Sequence, residues 1–192
     1  MIRILTLFLF LLMQARLVSI EKLNEKYCVS FGNPNAKNKV IEYYSFSCPH
    51  CIALFRKDFN LVKERLIEKG NIYLVFHPIP LDLQTVQAMV CLSKLSEEEK
   101  RLFLDAILSE ADIEEPKITS MLMQKAMEIL KKPQKDLQDK DFISAQEAFQ
   151  DAFRFLKQED QIEAIPTAEI NGRLFRTEVP ECVFIEKHLA KD

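Results

Sequence analysis

The sequence predicts an α/β fold: a parallel β-α-β unit, then a helical insertion after its second strand, then a closing β-β-α segment. Three observations carry this reading. The β-rich run Val40-Ile41-Glu42-Tyr43-Tyr44-Ser45-Phe46 leads through an amphipathic segment into a second β-rich run, Ile72-Tyr73-Leu74-Val75-Phe76. The stretch from 81 to 161 has helical periodicity and no convincing strand. Beyond it, Asn171-Gly172, the strongest two-residue hairpin signal, separates two short β-favouring runs. At 192 residues, 48% apolar and 29% charged, the chain has the composition of an ordinary globular protein able to bury a core. A formal charge of −3 without a long basic run argues against nucleic acid as a partner.

In chain order, Met1-Ile2-Arg3 and the apolar run from Ile4 to Met13 have the positive start and length of a secretory signal, too short to span a bilayer. Residues 1–20 are read as a signal peptide, either cleaved or retained as an N-terminal anchor. The body of the chain is then extracytoplasmic, where disulfides persist. Tyr27-Cys28-Val29-Ser30-Phe31 reads as an edge strand, and Gly32-Asn33-Pro34-Asn35 as the turn before a strand at residues 39 to 46. In the helix that follows, Ile52, Phe55, Phe59, Val62 and Leu66 form the apolar stripe. Arg56, Lys57, Lys63, Glu64 and Arg65 fall between them, and the helix ends before Gly70. The continuous apolar run 72–76 suits a strand covered on both faces and stopped by His77-Pro78-Ile79-Pro80.

The insertion reads as a series of helices. Leu83, Val86 and Val90 mark the first; Ser96 with Glu99 forms a capping box opening the second, which carries Leu102, Phe103, Ala106 and Ile107 on one face. Pro116 begins a third that carries Met121, Leu122, Ile129 and Leu130 and stops at Pro133; the fourth runs from Phe142 through Phe149, Phe153 and Leu156 to Gln161. Stripes of Met and Phe at helical spacing are core rather than cofactor contacts. The chain returns to β at Thr167–Ile170 and Leu174–Thr177, and a helix through Val183, Phe184 and Leu189 closes it. Residues 21–80 and 162–192 then form one domain, with 81–161 inserted as a helical domain. His188 complements the dipole of the last helix and His77 marks a strand end; neither reads as catalytic.

Chemistry concentrates at Ser47-Cys48-Pro49-His50-Cys51, on the junction between strand 40–46 and its helix. With Pro49 as the first helical residue, Cys48 becomes the N-cap, and His50 and Cys51 occupy the second and third helical positions. A thiolate at Cys48 gains the free backbone N–H groups, the positive end of the helix dipole and the neighbouring imidazole of His50, so Cys48 is expected to be an acidic, reactive thiol. Cys51, a turn further in and leading into the apolar face, is the resolving cysteine. The rival readings are half of a zinc site, which lacks a second Cys or His pair, and an inert structural disulfide. The remaining cysteines, Cys28, Cys91 and Cys182, permit one further disulfide in any of three pairings, or serve as small core hydrophobes.

The run from Val40 to Cys51 resembles the active-site strand and junction of the DsbA family of thiol:disulfide oxidoreductases, members of the thioredoxin superfamily in which Cys-Pro-His-Cys is characteristic. Ala164-Ile165-Pro166-Thr167-Ala168-Glu169-Ile170-Asn171-Gly172-Arg173 resembles the family's cis-proline loop and following hairpin. The order of elements agrees over the whole chain after the signal. The resemblance implies a thioredoxin-like fold, with Cys48 as nucleophile, Cys51 as resolving thiol, and Pro49 and His50 as the pair that sets the potential. It further implies Pro166 as the cis-proline facing the disulfide, Ile165 as a substrate-pairing backbone position, and Glu42 as the buried acid beneath the site. Read by itself, Glu42 is either an ionisable group in an apolar strand, its pKa raised by burial, or a glutamate at a solvated strand position. Some family members carry a lysine beside the buried acid; residues 72–76 offer none.

Oxidation of paired thiols in exported proteins within the bacterial periplasm is therefore the expected activity. The family's reoxidant is a quinone-linked DsbB-type membrane protein, the expected state is monomeric, and no metal, nucleotide or flavin cofactor is implied. An envelope reductase or isomerase would use the same residues, although the segment before strand 39–46 is too short for an added dimerisation domain. A metal-binding or disulfide-stapled envelope protein without catalytic activity is the remaining alternative.

Overall fold

The computed structural model describes residues 25–110, 162, 164–176 and 181–190, with 128, 143, 146, 147 and 150 as single positions. The signal segment lies outside the described residues, as do the third and fourth helices of the expected insertion apart from those single positions.

Strands β1 (Val29–Gly32), β2 (Asn38–Tyr44), β3 (Ile72–Pro78), β4 (Thr167–Ile170) and β5 (Arg173–Arg176) form one mixed sheet in the order β1-β3-β2-β4-β5. The central β2 and β3 are parallel, with Val40 opposite Leu74 and Glu42 opposite Phe76. Their crossover is the helix α1 (Pro49–Val62), extended by a π-helical turn, Lys63–Ile67. All other pairings are antiparallel. The turn between β4 and β5 has Asn171 and Gly172 at φ 52 and 81, the double positive-φ geometry for which an Asn-Gly pair is suited. Helices α2 (Leu83–Leu92) and α3 (Glu97–Glu110) follow β3, and α4 (Cys182–His188) ends the described chain. As expected for a central strand covered on both faces, β3 is buried almost throughout, and the strand runs on through His77 and Pro78 instead of stopping before them.

Alternation along β2 sends Val40, Glu42 and Tyr44 to one face and Ile41 and Tyr43 to the other. The first face meets α1, α2, α3 and α4 in one continuous core that includes Ile52, Phe55, Cys91, Phe103, Ile107 and Ile185. Phe76 is its aromatic hub: the rings of Phe31, Tyr44, Phe55 and Phe59 all lie within 6.0 Å of it, centroid to centroid. This seats α1 against β3 directly beside Glu42.

Two helical stripes differ from the sequence reading. In α2 Val90 is buried as expected, but Leu83 is 69% exposed and Ala88, Cys91 and Leu92 join the core in its place. Its first turn is held at the surface by Asp82, whose side chain caps the helix by accepting from the Thr85 N–H at 2.7 Å. In α3 the buried stripe is Phe103, Leu104, Ile107 and Leu108, while Leu102 is 51% exposed. That rotation follows from Lys100 and Arg101, which donate to the carbonyls of Glu25 and Ser30 and fix the polar edge of the helix against the β1 segment. The Ser96–Glu99 capping box forms in both directions. Arg56 of α1 donates to the carbonyls of Leu108 and Ser109, satisfying acceptors that the end of α3 leaves open.

Gly32 ends β1 at φ +89, and a Cβ there would lie 2.6 Å from the Ile72 carbonyl oxygen, whereas Gly70, at φ +71, has open space around it. Gly70→Ala then carries only the left-handed backbone penalty, about 1 kcal/mol. Gly32→Ala adds a clash with immovable backbone and is expected to cost at least about 2 kcal/mol. Urea midpoints of the two variants check this; equal losses would mean that β1 shifts freely against β3.

Candidate active site

The junction between β2 and α1 is built by the turn Ser45–Cys48, closed by the Cys48 N–H donating to the Ser45 carbonyl at 3.2 Å. Cys48 has extended backbone angles and its carbonyl accepts the first helical hydrogen bond, from Ile52, at 3.1 Å. It is therefore the N-cap, with Pro49 at the first helical position. His50 is exposed, Cys51 is buried, and Cys48 lies between these extremes.

Both sulfurs are thiols, and they differ sharply in acidity. The pKa of Cys48 falls from the ordinary 9.0 to about 6. The largest cause is a hydrogen bond from the Cys51 side chain; the backbone N–H groups of Cys51 and His50 and the charge of His50 add to it, against the cost of partial burial. No backbone N–H closes a cap hydrogen bond of full geometry on the sulfur. The sequence reading puts the weight on the helix end and the imidazole; in the structure the facing Cys51 S–H leads and the charge of His50 contributes least. Cys51 moves the opposite way, well above the usual thiol range, because it donates to Cys48, is buried, and faces the Cys48 charge. One proton is therefore held between two sulfurs, on the inner one.

A hydroxyl and carboxyl network anchors the turn. The Ser45 hydroxyl bonds those of Ser47 at 2.9 Å and Thr85 at 3.0 Å, and Ser47 donates to the Asp82 carboxylate that caps α2. The residue preceding Cys48 is thereby tied to the start of α2. In the sequence only the Asp82–Thr85 half of this clamp has a signal, at N-cap spacing; its link to Ser47 has none.

The Ile165–Pro166 peptide bond is cis. Thr167 closes that loop by donating to the Ala164 carbonyl at 2.7 Å and pairs with Tyr43 across the sheet, so the register carries Pro166 toward the end of β2 where the Cys48 turn begins. Pro166 is buried, and Ile165 is half-buried against the cores on both faces of the sheet.

Glu42 is 8% exposed, which removes the solvated-strand reading. Burial first, and then the charge of Asp58, push its pKa up to about 8. Asp58 of α1 is itself 7% exposed, and its carboxylate accepts from the backbone N–H of Cys182. It falls between Phe55 and Val62 on the buried stripe of α1, the one signal in the sequence that could have revealed it. The Tyr44 hydroxyl is buried without a hydrogen-bond partner and is electrostatically coupled to Cys28, Cys51 and Glu42. Cys28, Cys91 and Cys182 occupy separate parts of the fold, no disulfide joins them, and burial lifts their thiols to about 12, 11 and 11. His77 is buried against Tyr43, and desolvation lowers its pKa to about 4. Among the described residues no cluster of three or more His, Cys, Asp or Glu could hold a metal ion.

Known proteins share this architecture. Chlamydia trachomatis DsbA superposes with a TM-score of 0.64 at 20% identity, over 86% of this chain and 91% of that one. The catalytic domain of Proteus mirabilis ScsC gives 0.68 at 13% identity, over 93% and 98%. A protein-disulfide isomerase from Novosphingobium aromaticivorans gives 0.62 at 14% identity, over 78% and 89%. No curated protein matches the sequence itself. A family model described as thioredoxin matches residues 24–182, spanning the Cys48–Cys51 junction, the cis-proline loop and the start of α4. With that match and the fold of the DsbA structures, the chain belongs to the thioredoxin family.

Proposed function

We propose that the protein is a thiol:disulfide oxidoreductase that introduces disulfides into exported proteins through Cys48 and Cys51. The observation that carries this reading is the split between a half-exposed Cys48 of pKa about 6 and a buried Cys51 whose thiol is held protonated. In the oxidised enzyme a substrate thiolate attacks the Cys48 sulfur, the bond between the two sulfurs breaks, and its electron pair leaves on Cys51, which takes up a proton. A second substrate thiolate then attacks the substrate sulfur of the mixed disulfide. Cys48 departs as a stabilised thiolate, leaving an oxidised substrate and the reduced enzyme. Glu42, protonated near neutral pH, is the proton source for Cys51 and refills from solvent; in its carboxylate form it accepts the Cys51 proton when the dithiol is reoxidised. Ile165 offers its backbone to an extended substrate segment beside Pro166, which gives affinity with little sequence preference.

The direction of exchange follows from the same asymmetry, because thiolate stabilisation exists only in the reduced form and so favours reduction of the enzyme. Potentials run from about −270 mV where the nucleophile has a pKa near 7 to about −120 mV where it is near 3.5. A Cys48 pKa lowered to about 6 puts the pair on the oxidising side of thioredoxin. ScsC and the isomerase share the fold, so reduction or isomerisation by the same residues is the second reading. Equilibration with glutathione buffers decides between them; a potential at or below that of thioredoxin ends the oxidase reading. Because His50 is the least of the contributions to Cys48, His50→Ala is expected to shift the glutathione equilibrium toward the disulfide by less than about tenfold, the equivalent of 30 mV. Work in the periplasm, as a monomer reoxidised by a DsbB-type quinone-linked membrane protein, completes the proposal.

A further inference from the structure

Glu42 and Asp58 are both buried, and both line a void of about 20 Å³ whose remaining wall is hydrocarbon, including Phe55, Phe59, Leu74 and Ile185. A void of that size admits one water molecule. The two carboxyl groups are not equivalent. Asp58 is held as an acceptor by the Cys182 N–H at the start of α4, whereas burial favours the neutral form of Glu42. Among the described residues no Lys, Arg or His lines the void. The titratable groups facing Glu42 are Asp58 and Cys51 from α1 and Tyr44 from its own strand. Those facing Asp58 from outside are Lys57, which is exposed and paired with Glu181, and Cys182. Two buried like charges with no cation between them do not both persist. The pair must hold a proton, and the N–H donated to Asp58 places it on Glu42.

We infer that Asp58 is a positioning residue for the redox site: its carboxylate, anchored by α4 and facing Glu42 across the one-water void, keeps on Glu42 the proton that Cys51 takes up and returns. The inference rests on the proposed exchange at Cys48 and Cys51. When the disulfide opens, the electron pair arrives on Cys51 and the Glu42 proton moves to that sulfur, leaving a transient pair of carboxylates that uptake of a proton from solvent relieves. When the dithiol is reoxidised, Glu42 in its carboxylate form takes the Cys51 proton, and the like-charge contact with Asp58 is relieved. Asp58 thus favours delivery of a proton to any base near Glu42 less than it favours recovery, and it supports reoxidation.

The test is titration of the Glu42 carboxyl carbon by NMR in the full reduced protein, assigned with Glu42→Gln. In the wild type its midpoint is expected near 8. Asp58→Asn, which retains an oxygen for the Cys182 N–H, is expected to lower that midpoint by about one pH unit or more, and Asp58→Glu to restore it. The pH profile of reoxidation of the dithiol should move with it. A wild-type midpoint in the ordinary carboxylate range overturns the inference whether or not the variants fold, as does an unchanged midpoint in a folded Asp58→Asn. The carboxyl titration does not depend on exchange activity. A raised, Asp58-dependent midpoint in a protein unable to exchange disulfides would refute the proposed function and leave the pair standing.

Discussion

Replacing Cys51 with alanine is expected to turn the enzyme into a trap, and replacing Cys48 with alanine to leave it unable to capture anything. With Cys51 absent, Cys48 charged by oxidised glutathione still accepts a substrate thiolate, which displaces glutathione and forms a mixed disulfide. No thiol remains beside Cys48 to resolve it. Turnover should fall by at least about 1,000-fold in either variant, since each removes one of two sulfurs that act as a unit. Only Cys51→Ala should give slower-migrating adducts on non-reducing gels. The geometry adds a second expectation: Cys51→Ala removes the hydrogen bond that contributes most to the low pKa of Cys48, so its thiolate, followed by ultraviolet absorbance, should titrate higher than in His50→Ala. Adducts should accordingly accumulate faster at mildly alkaline than at neutral pH. Capture by Cys48→Ala would require Cys28, Cys91 or Cys182 to react, yet all three are buried with raised pKa values.

What the sequence disclosed and what it concealed follow from the range of the interactions involved. The junction, the parallel pair, the Asn171-Gly172 hairpin and the Ser96–Glu99 box are local signals, and each lies where its residue pattern placed it. So does the N-cap position of Cys48, because Pro49 fixes the helix start. Facing relationships between distant segments were harder to read. Leu83 and Leu102 matched the helical period yet face solvent, because a period does not say which side a neighbouring strand will cover. Asp58 matched the buried stripe but reads as polar, and only its approach to Glu42 and to the Cys182 N–H gives it a role. The Ser47–Asp82 link joins residues 35 apart in sequence and had no local trace. The leading contribution to the acidity of Cys48, the hydrogen bond from the Cys51 thiol one helical turn away, is no part of the sequence reading, which weighs only the helix end and the imidazole.

The stability of the reduced protein relative to the oxidised one is expected to rise with pH between about 6 and 9. Cys48 has a folded pKa of about 6 against an ordinary 9.0, so its contribution is complete above 9.0 and is lost as pH falls through 6. Within that window the unfolded dithiol holds two protons and the folded one holds a single proton, on Cys51. Each pH unit can then add up to about 1.4 kcal/mol. Over the whole window the shift corresponds to about 4 kcal/mol, but Cys48 is half-exposed and solvent screens it, so about 2 kcal/mol is the expected gain. Above 9.0 the sign reverses. The unfolded chain loses both protons while Cys51, raised well above the ordinary range, keeps its own in the fold, and stability falls again. Glu42 and His77 also titrate, but they are present in both redox forms and cancel in the difference. The loop-closure entropy of the short disulfide favours the oxidised form and does not depend on pH, so it offsets the curve without tilting it. Urea denaturation of both forms at several pH values measures the gap. A gap that stays flat or narrows between pH 6 and 9 would show that the Cys48 thiolate is not stabilised by the fold, and the physical basis for an oxidising active site would be gone.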